Sequence, residues 1–179
     1  MVVGLRVEIA HSAELDAASL RAVRELLESS FDEVTEHDWD HALGGMHALA
    51  WNGSELIGHG SIIQRRLLYG GRALRAGYVE GVGVRPDSRR RGIGGAVMAE
   101  LERFAGSAYN LGALGSSDDG LGLYLSRGWQ SWRGRLAVLS PGGIVDTPDE
   151  LGAVLVLPGA KPLDLDGELI CDWREGDAW

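Results

Sequence analysis

Three arginines, Arg89, Arg90 and Arg91, run directly into Gly92-Ile93-Gly94-Gly95, and that order of residue types suits a pyrophosphate. Backbone N–H groups at the start of a helix point at an anion, and the helix dipole favours negative charge there. Gly92 and Gly94 remove the side chains that would keep the backbone away from phosphate oxygens, and the arginines add charge-assisted hydrogen bonds. Two familiar phosphate loops do not fit: the glycines fall as GxG without the rest of GxGxxG, and no GK[ST] ending follows. Upstream, Glu80 stands in the strand-like run Gly77-Tyr78-Val79-Glu80-Gly81-Val82-Gly83-Val84. Two residues before Val82, it shares a strand face with it unless a bulge at the glycines breaks the alternation. A carboxylate there can act as a general base, directly or through a water. A glutamate in water titrates near ~4.3 and is a weak base at neutral pH, so burial or a relay must assist it.

These groups need a strand before the loop and a helix after it. Ile93, Val97, Met98, Leu101, Phe104 and Ala105 recur at helical spacing, which predicts a helix from 92 to about 105 packed on a sheet. Towards the N-terminus, residues 5–10 alternate like a strand, and Ser12 precedes a helix over 13–30 whose buried stripe includes Leu20, Val23, Leu27 and Phe31. Thr35 caps a short helix through Trp39 and Leu43, stopped by Gly44-Gly45. Strands at Met46–Trp51 and Leu56–Gln64 join at Asn52-Gly53, and a turn at Gly70-Gly71 leads into a third at Ala73–Val84, so three consecutive antiparallel strands are expected. Beyond the loop helix come a strand at Tyr109–Leu114, a short helix at Asp118–Arg127 closed by Gly128-Trp129, and strand candidates at Trp132–Leu139 and Ala153–Leu157. Residues 78–114 form a β-α-β step, which requires a right-handed parallel crossover. The fold class is therefore α/β (α+β): a mixed, mostly antiparallel sheet with one parallel step and helices on both faces.

Composition bounds the rest. A chain of 179 residues, 45% hydrophobic, suits one domain over 1–179. A net charge of −9 argues against a nucleic-acid surface. Eight of the 17 basic residues lie between 65 and 91, whereas residues 31–41 carry Asp32, Glu33, Glu36, Asp38 and Asp40 with no lysine or arginine. One region suits an anion and another a cation. No apolar run is of membrane-spanning length, and Met1–Ala10 carries Arg6 and Glu8 in a strand-like alternation rather than a signal-peptide core; a cytoplasmic protein without membrane partners is expected. Cys171, the sole cysteine, lies in apolar Leu169-Ile170-Cys171 and reads as a buried small hydrophobe. His37 and His41 have the i, i+4 spacing of metal ligands but lack the glutamate of HExxH, so no metal is expected.

The R-x-x-G-x-G pattern after a glycine-interrupted strand resembles the loop by which GCN5-related N-acetyltransferases (GNAT) bind the pyrophosphate of acetyl-CoA, and the element order matches that fold from end to end. The resemblance implies acetyl-CoA as cosubstrate, held by Arg89, Arg90, Arg91, Gly92, Ile93, Gly94 and Gly95. It implies that backbone groups of Val82 and Val84 pair with pantetheine and that the Val82 N–H polarises the thioester carbonyl. Glu80 becomes the base, and Tyr124, in the short helix after the fifth strand, the acid that protonates the departing thiolate. No serine or cysteine sits in a recognisable nucleophile turn, so direct transfer in a ternary complex is expected.

Further stretches narrow the resemblance: Thr35-Glu36-His37-Asp38-Trp39, Leu43-Gly44-Gly45-Met46-His47-Ala48-Leu49, Gln64-Arg65-Arg66, Leu123-Tyr124-Leu125-Ser126-Arg127-Gly128-Trp129 and the ending Cys171-Asp172-Trp173-Arg174-Glu175-Gly176-Asp177-Ala178-Trp179. Together they look like the actinobacterial aminoglycoside 2'-N-acetyltransferases. That likeness implies drug contacts from Asp38, Glu80, Asp177 and the carboxylate of Trp179, with Glu33, Ser116, Ser117 and Glu150 as weaker ones, and a homodimer. A polycationic, hydroxyl-rich acceptor calls for an acidic pocket poor in lysine, and Lys161 is the only lysine in the chain. Gly115, Asp118 and Asp119 depart from the subfamily pattern. Acceptors that keep the fold but change the chemistry are a polyamine, an amino sugar metabolite or a protein N-terminus; a silent acyl-CoA-binding module is the non-catalytic alternative.

Overall fold

In the computed structural model, which describes residues 4–179, the chain forms two compact units. Met1–Val3, the first residues of the strand-like N-terminus, lie outside the described residues. The first unit runs to Ile63 and includes Val79–Arg103. It holds β1 (Leu5–His11), a 3-10 turn at Ser12–Glu14, α1 (Ala17–Ser30), α2 (Glu36–His41) and β2 (Met46–Asn52). It also takes parts of β3 (Glu55–Tyr69), β4 (Arg72–Val84) and α3 (Ile93–Ala108). The strand order is β1-β2-β3-β4, and the β1–β2 and β2–β3 pairs are antiparallel. Helix α1 starts later than Ser12 predicts, because the cap is Asp16, whose side chain accepts from Ser19 N at 2.7 Å. Thr35 does cap α2, and Asp38 closes the capping box by accepting from Thr35 N at 2.8 Å.

Glycines let helices close on both faces of this unit's sheet. A Cβ at Gly58 would fall 2.5 Å from Ile93 Cγ2, and one at Gly60 would fall 2.9 Å from both Leu101 and Val97, so α3 lies directly on β3. On the other face, a Cβ at Gly83 would come within 3.1 Å of Leu26 and Ser30 of α1. The α1 stripe of Val23, Leu26 and Leu27 buries against Ala10, Leu49 and Leu56, with Trp39 and Trp51 packed around it.

The second unit, Gln64–Tyr78 with Phe104–Trp179, adds β5 (Leu111–Gly115), α4 (Asp118–Ser126), β6 (Gln130–Ser131), β7 (Leu136–Ser140), β8 (Gly143–Asp146), β9 (Val154–Pro158) and β10 (Leu169–Asp172). Its order is β6-β9-β5-β4-β3-β10-β7-β8. The β4–β5 pair is parallel, as the β-α-β step requires, with Ala76, Gly77 and Tyr78 opposite Leu111, Gly112 and Ala113. β9 is antiparallel to β5, and β10 is antiparallel to β3 but parallel to β7. The expected strand at Trp132–Leu139 forms only from Leu136, as β7, while the two-residue β6 precedes it; between them Gly134 packs so closely on the Gly167 carbonyl that a Cβ would lie 1.9 Å from its oxygen. β3 continues through Tyr69 rather than stopping at Gln64, and its Arg65 is buried. Cys171 is fully buried, and burial pushes its thiol up to about 11, which fits a small hydrophobe rather than a nucleophile. Among the described residues no helix is long and apolar enough to cross a membrane, and no group of three or more His, Cys, Asp or Glu side chains is arranged to hold a metal ion.

Candidate active site

In the first unit the arginine-glycine loop turns tightly just ahead of α3. After the 3-10 turn Pro86–Ser88, Arg90 and Gly92 both take left-handed backbone, with φ of 59° and 83°. The first helical bond into α3 is Ala96 N to Gly92 O at 3.0 Å, which leaves the preceding N–H groups outside the helical ladder. Nothing lies within 4 Å of a Cβ placed at Gly92, so the space in front of the turn is open to a ligand. The arginines divide the work. Arg89, exposed like its two neighbours, donates from Nε to Val84 O at 3.2 Å and from Nη2 to Ser30 O at 3.0 Å, and so staples the loop to the end of α1. Arg90 and Arg91 are exposed and supply the positive charge. Arg85 is paired with Glu55 and Asp87. Of the basic residues between 65 and 91, Arg65 is buried in the second unit.

Just before the loop, Gly81 takes φ 55° within β4, a left-handed residue that a side chain would strain, and the two-residue alternation between Glu80 and Val82 is interrupted there. Val82 packs its side chain on Gly60, where a Cβ would meet its Cγ2 at 3.2 Å. Glu80 is half-buried, and its carbonyl accepts from the buried hydroxyl of Ser61 at 3.5 Å. Asp38, anticipated as a drug contact, already caps α2: its Oδ2 accepts from both the N–H and the hydroxyl of Thr35 at 2.8 Å. Glu33 is exposed on the turn before α2.

The second unit gathers most of the other sequence candidates. A Cβ at Gly120 would lie 3.0 Å from Tyr124 Cε2 and 3.4 and 3.5 Å from the hydroxyls of Ser116 and Ser117, so these three side chains surround one glycine. Tyr124 is buried in α4, edge-on to Trp129 with ring centroids 6.2 Å apart. A Cβ at Gly115 would sit 3.4 Å from the Trp179 carbonyl carbon and 3.7 Å from the Tyr78 hydroxyl, which brings residue 179 to the end of β5. The Trp179 indole N–H donates to Thr147 Oγ1 at 2.9 Å and fixes that approach. Burial, then the charges of Asp177 and Asp149, hold the Glu150 carboxyl above its usual range. Glu150 and Asp177 thus share one acidic locality. Asp118 and Asp119 fall in the first turn of α4, where they complement the helix dipole.

Sequence reasoning missed a buried polar chain in the first unit. His47 and His59 are both fully buried, with His47 Nδ1 2.9 Å from His59 Nε2. His59 Nδ1 lies 2.8 Å from the Gly81 carbonyl, and His47 Nε2 lies 2.7 Å from the Ser12 hydroxyl, which also accepts from Gly44 N at 2.8 Å. Burial lowers His47 to about 4, helped by the charge of His11, and lowers His59 to about 3, so both imidazoles are neutral at pH 7. The available signal was a histidine in each of two apolar strand runs, set diagonally across an antiparallel pair: His47 faces Ser61 and Leu49 faces His59.

With this geometry in view, the relatives of the chain are informative. A sequence model of the acetyltransferase (GNAT) family matches residues 13–129. An aminoglycoside 2'-N-acetyltransferase of Mycolicibacterium fortuitum is 44% identical over 176 residues, 96% of this chain and 90% of that protein. Among solved structures, NAA60 of Arabidopsis thaliana bound to a bisubstrate analogue superposes with a TM-score of 0.63 at 17% identity, covering 88% of this chain and all 100% of that one. A GNAT family acetyltransferase of Brucella melitensis in complex with acetyl-CoA gives 0.58 at 18% identity, covering 92% and 94%. At those identities the two structures speak for the fold alone.

Proposed function

The chain belongs to the acetyltransferase (GNAT) family, and from that premise we propose that it transfers the acetyl group of acetyl-CoA to the 2'-amine of aminoglycosides, inactivating them as antibiotics. The observation that carries the acceptor is the 44% identity to the Mycolicibacterium fortuitum enzyme over nearly the whole chain. The acidic locality of Glu150 and Asp177 supports it, because a polycation gains most where carboxylates already repel one another. Acetyl-CoA supplies the activated thioester. The open, left-handed turn at Arg90–Gly92 fits its pyrophosphate, with Arg90, Arg91 and the N–H groups of Ile93, Gly94 and Gly95 as the donors.

In this reading Glu80 takes the proton of the attacking amine, the Val82 N–H receives the charge that develops on the carbonyl oxygen, and Val82 and Val84 pair with pantetheine. Tyr124 gives its phenolic proton to the sulfur as the C–S bond breaks. Asp38, Glu150, Asp177, Ser116, Ser117 and residue 179 bind ammonium and hydroxyl groups. Transfer is direct, and the buried Cys171 thiol takes no part. Use of acetyl-CoA agrees with a cytoplasmic location. A homodimer agrees with the exposed Leu139, Ile144 and Val145 of β7 and β8, and sedimentation will test it.

The deciding experiment is acetyl-CoA consumption with kanamycin B, which has a 2'-amine, against kanamycin A, which has a hydroxyl there. Turnover of kanamycin B alone is expected. Equal turnover moves the acetylated amine to another position, and turnover of neither, with turnover of a polyamine or peptide, replaces the acceptor while leaving the family reaction.

A further inference from the structure

The buried chain from Ser12 to Gly81 has one direction, and its far end is the peptide that carries the Val82 N–H. The Gly81 carbonyl can only accept, so the proton of its 2.8 Å bond sits on His59 Nδ1. Neutral His59 then has a lone pair on Nε2, and the 2.9 Å contact is a donation from His47 Nδ1–H. Neutral His47 in turn accepts at Nε2 from the Ser12 hydroxyl at 2.7 Å, a shorter path for that proton than the 3.3 Å route to the Gly45 carbonyl. Gly44 N–H completes the series by donating to Ser12 Oγ at 2.8 Å. Every donor points toward Gly81.

Such a chain cannot carry away the amine proton, because it ends on a carbonyl oxygen that has no proton to pass on and no basic site to hold one at neutral pH. Its physical effect is on the peptide it touches. In a planar trans peptide the C=O of residue 81 and the N–H of residue 82 point in opposite directions. Pinning the Gly81 oxygen therefore aims the Val82 N–H the other way. Gly81 needs such a restraint: it is left-handed at φ 55°, and a glycine has no side chain to limit its rotation. The adjacent peptide is restrained from the same strand by Ser61, which donates to Glu80 O. Consecutive hydrogen bonds also polarise one another, so an amide whose oxygen is already hydrogen-bonded becomes a stronger N–H donor.

We propose that His59, supported by His47 and Ser12, is a positioning residue that aims and polarises the Val82 N–H for the thioester carbonyl. This rests on the reading of Val82 as the oxyanion donor. Removing an oxyanion donor outright costs about 10²–10³ in kcat, so loss of its alignment costs a part of that, about ten- to a hundred-fold.

The test is difference infrared spectroscopy of acetyl-CoA labelled with carbon-13 at the acetyl carbonyl, bound to wild type, His59→Leu, His59→Gln and Ser12→Ala, together with steady-state kinetics. Wild type should shift the carbonyl stretch to lower frequency. His59→Leu should lose most of that shift and lower kcat about ten- to a hundred-fold, with the acceptor KM and acetyl-CoA affinity within about three-fold. His59→Gln, which keeps an N–H donor, should recover part of both. Ser12→Ala, at the outer end, should give an intermediate shift and serves if His59→Leu does not fold. A wild-type shift retained in every variant, whatever happens to kcat, overturns the proposal. Absence of any shift in wild type overturns the Val82 assignment and the proposal with it.

Discussion

Arg65 and Asp172 stand 107 positions apart in sequence and meet through two hydrogen bonds, Arg65 Nε to Asp172 Oδ1 at 2.7 Å and Nη2 to the Asp172 carbonyl at 2.9 Å. The guanidinium lies 4.6 Å from the Tyr78 ring centroid and is 3% exposed, whereas the Asp172 side chain is 40% exposed. The pair closes β10 onto β3 in the second unit.

Because Arg65 has so little access to water, removing its partner leaves a buried charge. Asp172→Ala should cost about 3 kcal/mol, the lower end of the range for breaking a buried pair, since water reaches the carboxylate side. Replacing both partners, as Arg65→Met with Asp172→Leu, should recover much of that loss. Urea titrations of wild type and the two variants check it, and equal losses in the single and double variants would refute the account.

Acid should unfold the protein through the histidine pair. In the unfolded chain both imidazoles protonate near 6.5, whereas the folded chain holds them at about 4 and about 3. Below 6.5 the unfolded state binds more protons, so the stability that the neutral pair contributes is complete above that pH. It drains away as pH falls through 6 towards 4, at roughly 1.4 kcal/mol per pH unit for each histidine. The lowered carboxyls of Asp16 and Glu36 act in the same sense only at lower pH, and the raised Glu150 acts in the opposite sense. Denaturant midpoints between pH 7 and 4 should fall steeply for wild type and clearly less for a His47→Leu/His59→Leu variant.

Gly58→Ala should damage the proposed cofactor loop from beneath. The new methyl would fall 2.5 Å from Ile93 Cγ2, and Ile93 is the first residue of α3, next to the left-handed turn at Arg90 and Gly92. Overpacking of this kind costs about 1–3 kcal/mol. The displaced helix start should also raise the acetyl-CoA KM several-fold while leaving the acceptor KM nearly unchanged, and a bisubstrate kinetic matrix separates the two.

In the second unit, Tyr124→Phe keeps the ring against Trp129 and removes the proposed acid, so kcat should fall about 10²-fold with little change in either KM. Glu150→Gln and Asp177→Asn should instead raise the aminoglycoside KM and spare kcat. Because the two carboxylates share one field, the double variant should depart from the product of the single effects.

Much of this was legible locally. The Thr35 cap, the Asn52-Gly53 and Gly70-Gly71 turns, the α3 periodicity and the glycine turn after β4 all depend on neighbours within a few residues, and each appears where its residue types place it. The loop was readable for the same reason, since the φ values at Arg90 and Gly92 and the bare N–H groups at a helix start are short-range properties. Tertiary structure decided what depends on distant partners. It extended β3 past Arg65-Arg66, because Asp172 arrives to satisfy a cation that looked like surface charge. It made a strand of Leu169–Asp172, whose four residues gain their register only between β3 and β7. It drew Glu150 to Asp177, and joined His47 to His59 across two strands so that their protons point at Gly81. Local patterns set backbone conformation through sterics and short hydrogen bonds, but which buried polar groups meet is settled only when the strands that carry them are brought side by side.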